Sequence, residues 1–376
     1  MSGSALVSVL AVVVALVIGG LLIAVTDKRV AAASGYFFAE PGNTFAAAWT
    51  AVSEAYGALL RGATYDPGAR TWLGQLGIFE TLTFATPLIL AGLAVTIAFR
   101  AGLFNIGAQG QIILGATFAG AVGFGLDLPP VIHLLAVIVA GAIGGAIWGG
   151  IAGVLKARTG AHEVIVTIML NYIALSLVLY LLKNQLKAPG STNPVSPAMK
   201  DSAVFPLLLG DNFRLHAGFL LAVVAVVAIA WLLNRSTLGF ELRAIGANPS
   251  AARTAGMIVS RGYIVVMLIS GALAGLAGVA QISGTEKSLD SEVAGSIGFD
   301  AITVALLGRS TPWGTFFAAL LFGAFKAGGT SMAVNADVSI DIVLVVQSLI
   351  VLFIAAPPLI RAMFRLKTPS TRGAGA

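Results

Sequence analysis

The chain has 376 residues, 58% of them hydrophobic and only 10% charged, with a mean hydropathy of +0.95. Soluble domains carry about 25% charged residues, so the composition excludes a soluble globular protein and indicates a polytopic membrane protein. The net charge of +6 does not imply nucleic acid, because no basic stripe carries interleaved aromatics. The absence of cysteine excludes disulfides and thiolate metal sites.

In chain order, Leu6 to Val25 is an uncharged apolar run followed by Asp27, Lys28 and Arg29. It is longer than a signal-peptide core and lacks a basic start, so residues 1–26 read as a retained first span. Residues 27–78, with Pro41, Gly42, Pro67 and Gly68, read as an irregular external segment too polar to span. Further spans are expected at 80–99, 103–125, 131–155, 163–183, 217–234, 262–283, 298–308, 311–331 and 340–360. The clear ones approach the roughly 20 residues a bilayer core requires. The loop from Asn184 to His216 holds four prolines and reads as non-helical and external. The expected fold is all-α, with about ten transmembrane helices, some discontinuous, and both termini cytoplasmic. The transmembrane body is expected at 79–365 and a cytoplasmic tail at 366–376.

Orientation follows from positive charge near span ends. With the N-terminus inside, Arg100, Lys156, Arg158, Arg235, Arg253, Arg261 and Arg309 fall on the inner face with Glu241, while Asp127, Asp201, Glu286, Asp290 and Glu292 fall outside. The basic outer segment from Lys28 to Arg70 is the exception, and long segments weigh little in this rule. Gly141, Gly145, Gly149 and Gly153 recur every fourth residue, as do Gly271 and Gly275. That spacing lets helix backbones approach, within the protomer or at a subunit interface.

The polar segment Ser236–Arg261 stands out in the apolar second half. Asn248 suits an N-cap, Pro249 the first helical position, and Gly256 the left-handed residue beyond the helix end. Arg253 complements the negative end of the short helix between them. So short a helix must dock on something. An ATPase would fit, and so would the anionic lipid surface.

Catalytic signatures are missing. There is no Gly-Lys dipeptide for a phosphate loop, no Gly-x-Ser-x-Gly elbow, and His162-Glu163 lacks the second histidine of a zinc motif. No enzyme, cofactor or metal is expected. A permease driven by a separate ATPase, an ion-coupled carrier and a passive channel stay open on these grounds.

Four ordered motifs narrow the choice. GLFNIGAQGQ (102–111), HEVIVTIMLNYIA (162–174), LGFELRAIGANPSAARTAGM (238–257) and GFDAITVALLGRSTPWG (298–314) resemble the membrane permeases of bacterial ABC importers in the branched-chain amino acid, ribose and nucleoside superfamily. The nearest likeness is the nucleoside or simple-sugar subgroup that works with Bmp-type binding lipoproteins. A branched-chain amino acid permease is the alternative within the superfamily. The resemblance implies a bacterial plasma-membrane importer with a cytoplasmic ATP-binding cassette protein, a second permease subunit (hetero rather than homo) and an outer substrate-binding lipoprotein. It implies that Glu241, Arg243, Asn248, Pro249, Ala252, Arg253 and Gly256 belong to the segment coupling the permease to its ATPase. Many relatives carry glutamate where this chain has Gln109, so an acidic role there is lost.

Helix rise, counted from Arg100, Glu163 and Arg309, puts Gln109, Asn171 and Asp300 each about 12–13.5 Å deep. That is near the middle of a hydrocarbon core about 30 Å thick. These three, with Asn105, are the expected substrate path. The competing readings are that Asn171 bonds a neighbouring backbone and that Asp300 caps its own half-helix.

Overall fold

In the computed structural model, the described residues are 3–65, 77–210, 213–336, 338–355, 359 and 362–364. They form α1 (Gly3–Thr26), α2 (Lys28–Ser34), α3 (Pro41–Ala63), α4 (Ile78–Arg100), α5 (Ala108–Gly125), α6 (Pro130–Thr159) and α7 (Glu163–Lys183). After a long connection come α8 (Gly218–Arg235), α9 (Thr237–Ala247), α10 (Pro249–Thr254), α11 (Val259–Ala280), α12 (Ile297–Leu307), α13 (Pro312–Ala336) and α14 (Ile340–Ala355). Among the described residues, six helices are long and apolar enough to cross a membrane: α4, α6, α7, α8, α13, and α11 with the turn that extends it to Glu286. The protein is an all-α, polytopic membrane protein. The tail at 366–376 lies outside the described residues.

The chain divides into two compact units, residues 1–77 with 325–376 and residues 78–324. In the first, the stretch expected to be irregular contains two helices. Asp27 caps α2, its carboxylate accepting from the Arg29 and Val30 N–H groups. Pro41 opens α3 at a position where a missing N–H costs nothing. The alanine-rich run behind it is a strong helix former. Polarity misled the reading, because Glu54 and Arg61 lie on an exposed flank of α3, beside the buried stripe of Ala51, Ala55, Ala58 and Leu59. These pack with Ala15, Ile23, Met332, Val343 and Val346 into one core. The Tyr56 hydroxyl donates to the Leu16 carbonyl at 2.6 Å, fastening α3 to α1.

In the second unit, α4 is buried nearly all round, as a uniformly apolar helix should be. Its neighbour α11 meets α5 and α6 along glycines. A Cβ on Gly145 would collide with the Gly271 carbonyl, one on Gly275 with the Gly141 carbonyl, and one on Gly115 with the Gly275 backbone. The glycine repeat therefore serves helix packing inside the protomer.

Among the described residues, the connection 184–217 is non-helical apart from one turn at Asp201–Ala203. Its backbone bonds to the end of α11 and the stretch beyond it: Ser196 N–H to the Leu289 carbonyl, Met199 N–H to that of Lys287 and Phe205 N–H to that of Ser283. His216 is buried there, stacked on Phe205 at 5.6 Å. Burial, then the Arg214 charge, pushes its pKa down from 6.5 to about 4. The unfolded chain therefore binds the extra proton between those values, so stability is complete above pH 6.5 and falls until about pH 4. The slope is at most about 1.4 kcal/mol per pH unit. Thermal melts across this window should show that decline, and His216→Leu should flatten it. An unchanged slope in the variant would dismiss His216 as its source.

Candidate translocation site

The site begins at the break between α4 and α5. Gly102 takes φ +75° and ends α4, and residues 101–107 are non-helical. Asn105 anchors this turn while fully buried. Its amide donates to Gln111 Oε1 at 3.1 Å and to Ser270 Oγ at 2.8 Å, and its carbonyl accepts the Gly107 N–H at 2.9 Å. Ser270 in turn donates to the Ala94 carbonyl at 2.7 Å. A buried polar cluster of this kind costs little only when every member is paired.

Asn171 of α7 grips the start of α5 with both ends of its amide. Nδ2 donates to the Ile106 carbonyl at 3.0 Å, and Oδ1 accepts the Gly110 N–H at 2.8 Å. Gln109, in the first turn of α5, reaches toward α12 instead. Nε2 donates to the Gly295 carbonyl at 2.6 Å, and Oε1 accepts the Gly298 N–H at 2.9 Å. Gly298 opens α12, so the two helix N-termini meet through one side chain.

Between α5, α7 and the approach to α12 lies a cavity of about 500 Å³. Gln109, Asn171, Tyr172, Glu292, Gly295 and Phe299 line it, with Ile106, Ile113, Ile168, Leu175 and Ser291. Its volume suits a small organic solute. Two of the four expected path residues line it. Asn105 sits behind the wall in the buried cluster. Asp300 is outside the lining, and its carboxylate accepts from Ser296 Oγ at 2.8 Å within the first turn of α12. The depth count from Arg100 to Gln109 assumed a continuous helix, which the break at 101–107 removes. Gln109 and Asn171 nevertheless converge, because the break folds α5 back beside α7.

On the polar segment, Asn248 Oδ1 accepts the Ser250 and Ala251 N–H groups at 3.0 and 3.1 Å. Gly256 has φ +86°, and the Gly256 and Met257 N–H groups close the helix end on the Arg253 and Ala252 carbonyls. That is a Schellman end, as the glycine suggested. A second helix, α9, precedes it, with the Ser236 hydroxyl accepting the Gly239 N–H at 2.9 Å. Ser236 and the spacing of Leu238, Leu242 and Ile245 carry that helix in the sequence. Glu241, Arg243, Asn248, Pro249, Arg253 and Gly256 are exposed, whereas Ala252 is buried against Ile245 and Val259. Phe240 is also exposed on α9. On the other side of α9, Gly246 lies directly on the Arg100–Gly102 turn.

Residues 77–355 match the family described as the branched-chain amino acid transport system permease component. The chain belongs to that family. Among its relatives, the guanosine ABC transporter permease protein NupP of Bacillus subtilis is 43% identical over 79% of this chain and 87% of its own. The glucose permease protein TsgB13 of Haloferax volcanii is 39% identical over 76% of this chain and 77% of its own. The nucleoside permease protein NupB of Lactococcus lactis is 37% identical over 76% and 81%. The protein is thus a permease subunit of an ABC importer, and a transport protein rather than an enzyme. The family match begins where the second compact unit begins, so the permease's cavity, its α4–α5 break and the α9–α10 pair all fall inside it. Tyr172, Phe299 and Glu292 were not among the residues expected for its site. Nothing in a single-sequence pattern marks them, since each acquires its role from the fold around α5.

Proposed function

We propose that this permease conducts nucleosides, driven by a cytoplasmic ATP-binding cassette protein. The observation that carries the reading is the cavity lining: two side-chain amides, Gln109 and Asn171, beside the exposed rings of Tyr172 and Phe299. Aromatic faces stack on planar bases at about 1–3 kcal/mol each, and amides recognise uncharged polar groups. The likeness to NupP and NupB supports the same reading. Neutral sugars form the second reading, favoured by the likeness to the glucose permease TsgB13. A second, unlike permease subunit and an outer binding lipoprotein complete the proposed importer. The exposed face of α9 and α10 rests on the ATPase, with Phe240 as its apolar anchor.

Cells producing the complete importer should accumulate labelled nucleoside in preference to glucose. Glucose uptake without nucleoside uptake would transfer the assignment to sugars. Within the site, Gln109→Ala is expected to keep assembly with the ATPase but to slow uptake severalfold. Asn171→Ala strips partners from the Ile106 carbonyl and Gly110 N–H, at about 1–3 kcal/mol for each buried group, and should lower both uptake and melting temperature. Asp300→Asn, away from the cavity, should lower melting temperature while surviving protein transports normally. Wild-type uptake in both amide variants would remove Gln109 and Asn171 from the route.

The proposed topology has ten spans and both termini cytoplasmic. In this cysteine-free chain, Ser288→Cys should label from outside intact cells and Ser250→Cys only after permeabilisation. Labelling of Ser250→Cys from outside would invert the arrangement.

A further inference from the structure

The Gly295 carbonyl and the Gly298 N–H, three residues apart, together hold one planar amide, that of Gln109. One group accepts and the other donates, so the pair is a receptor for any planar group that presents an N–H beside an acceptor. A nucleobase edge has that pattern: in hypoxanthine, N1–H stands next to the 6-carbonyl. The Gly295 half of the pair lines the cavity beside Gln109, and Gly298 is buried just behind it, one residue before the Phe299 ring that also lines the cavity. Gly298 packs directly on the start of α5, where a Cβ would strike Gln109 N and Cα, so only a residue without a side chain brings its N–H to the Gln109 amide.

We propose that the Gln109 amide is an internal stand-in for the substrate's base. It occupies the Gly295–Gly298 receptor when the site is empty, yields it to the base edge of an incoming nucleoside, and reclaims it on release. This inference rests on the nucleoside reading and adds which end of the solute is read, and by what. The latch ties α5 to α12, so its exchange for substrate removes the side-chain link between these two helix starts at the moment of loading and leaves only the packing of Gly298 on the Gln109 backbone. Occupancy by Gln109 lowers the apparent affinity by the fraction of time the receptor is closed. Its removal should therefore tighten binding and slow release together.

The test is equilibrium dialysis of radiolabelled ligands against the full-length permease complex in lipid nanodiscs, without binding protein or nucleotide. Inosine is the useful probe, because N1–H is the only N–H on its base. 1-Methylinosine, which lacks it, should bind the wild-type complex at least about tenfold more weakly, since the Gly295 carbonyl is left unpaired. 2′,3′-Dideoxyinosine, altered only on the ribose, should bind within about threefold of inosine. In Gln109→Ala, inosine should bind about tenfold more tightly than in wild type, the equivalent of the two lost internal hydrogen bonds, while 1-methylinosine stays weak. Equal affinity of inosine and 1-methylinosine for the wild-type complex would overturn the latch and leave the nucleoside reading standing. So would weaker inosine binding in a folded Gln109→Ala complex. Binding of glucose with no binding of any nucleoside would overturn both. The comparison of the two ligands on the wild-type complex does not depend on the variant folding.

Discussion

Leucine in place of Gly145 is expected to leave almost no folded permease in the membrane. A Cβ at this position would lie 2.6 Å from Gly275 Cα and 2.7 Å from Gly275 N, besides colliding with the Gly271 carbonyl. All three are backbone atoms, so no rotamer change relieves the overlap and α6 must separate from α11. In lipid, helix association depends on close packing, because the surrounding chains are as apolar as leucine. Overpacking a core typically costs about 1–3 kcal/mol, and a clash against rigid backbone falls at the top of that range or above it. The effect would spread, because Gly275 also takes Gly115 of α5, the helix that carries Gln109. Gly125→Ala is the matched control, since a Cβ there meets nothing within 4 Å. Size-exclusion profiles of detergent extracts decide the matter: a monodisperse Gly145→Leu peak at wild-type yield would show that the seam tolerates separation.

Ala252→Trp should abolish uptake and binding-protein-stimulated ATP hydrolysis together, in protein that still inserts. Ala252 is 3% exposed and fills the space between Ile245 and Val259, so an indole must lift α10 from α9. The six-residue α10 has too few hydrogen bonds to persist without its seat. Arg253→Glu tests the outer face instead, reversing an exposed charge at the helix end without disturbing the packing. Motion at this pair has a physical route inward. Gly246 of α9 touches the Arg100–Gly102 turn, and that turn leads through Asn105 to Gln111 of α5, the helix that also carries Gln109. Gly246→Val, whose Cβ would lie 2.9 Å from Gly102 N, should therefore impair uptake even though Gly246 faces away from the exposed side of α9. Persistent uptake in Ala252→Trp and Arg253→Glu that followed the proton gradient would favour an ion-coupled carrier.

Much of the second unit was legible because local chemistry decides it. Asn248, Pro249 and Gly256 mark a helix start and end through short-range bonds that need no tertiary partner. The apolar stretches of α4, α6, α7, α8, α11 and α13 follow from the cost of leaving backbone polar groups unpaired in lipid. The i, i+4 glycines announced close helix contact, but the partner helix was not readable. The α2–α3 region was misread because prolines and charges look the same in a loop and on the solvent face of a capped helix.

The sequence by itself determined that this protein is a polytopic helical permease and which polar side chains stand near its glycine-rich turns. Apolarity, glycine spacing and cap chemistry act over a few residues and are written in order along the chain. Only the tertiary structure decided what each polar group does. Asn105 lies behind the cavity wall, Asn171 braces a backbone turn, Asp300 turns back on Ser296, and Gln109 alone spans from α5 to α12. Those differences depend on partners up to 189 residues away, which a pattern of a dozen residues cannot contain.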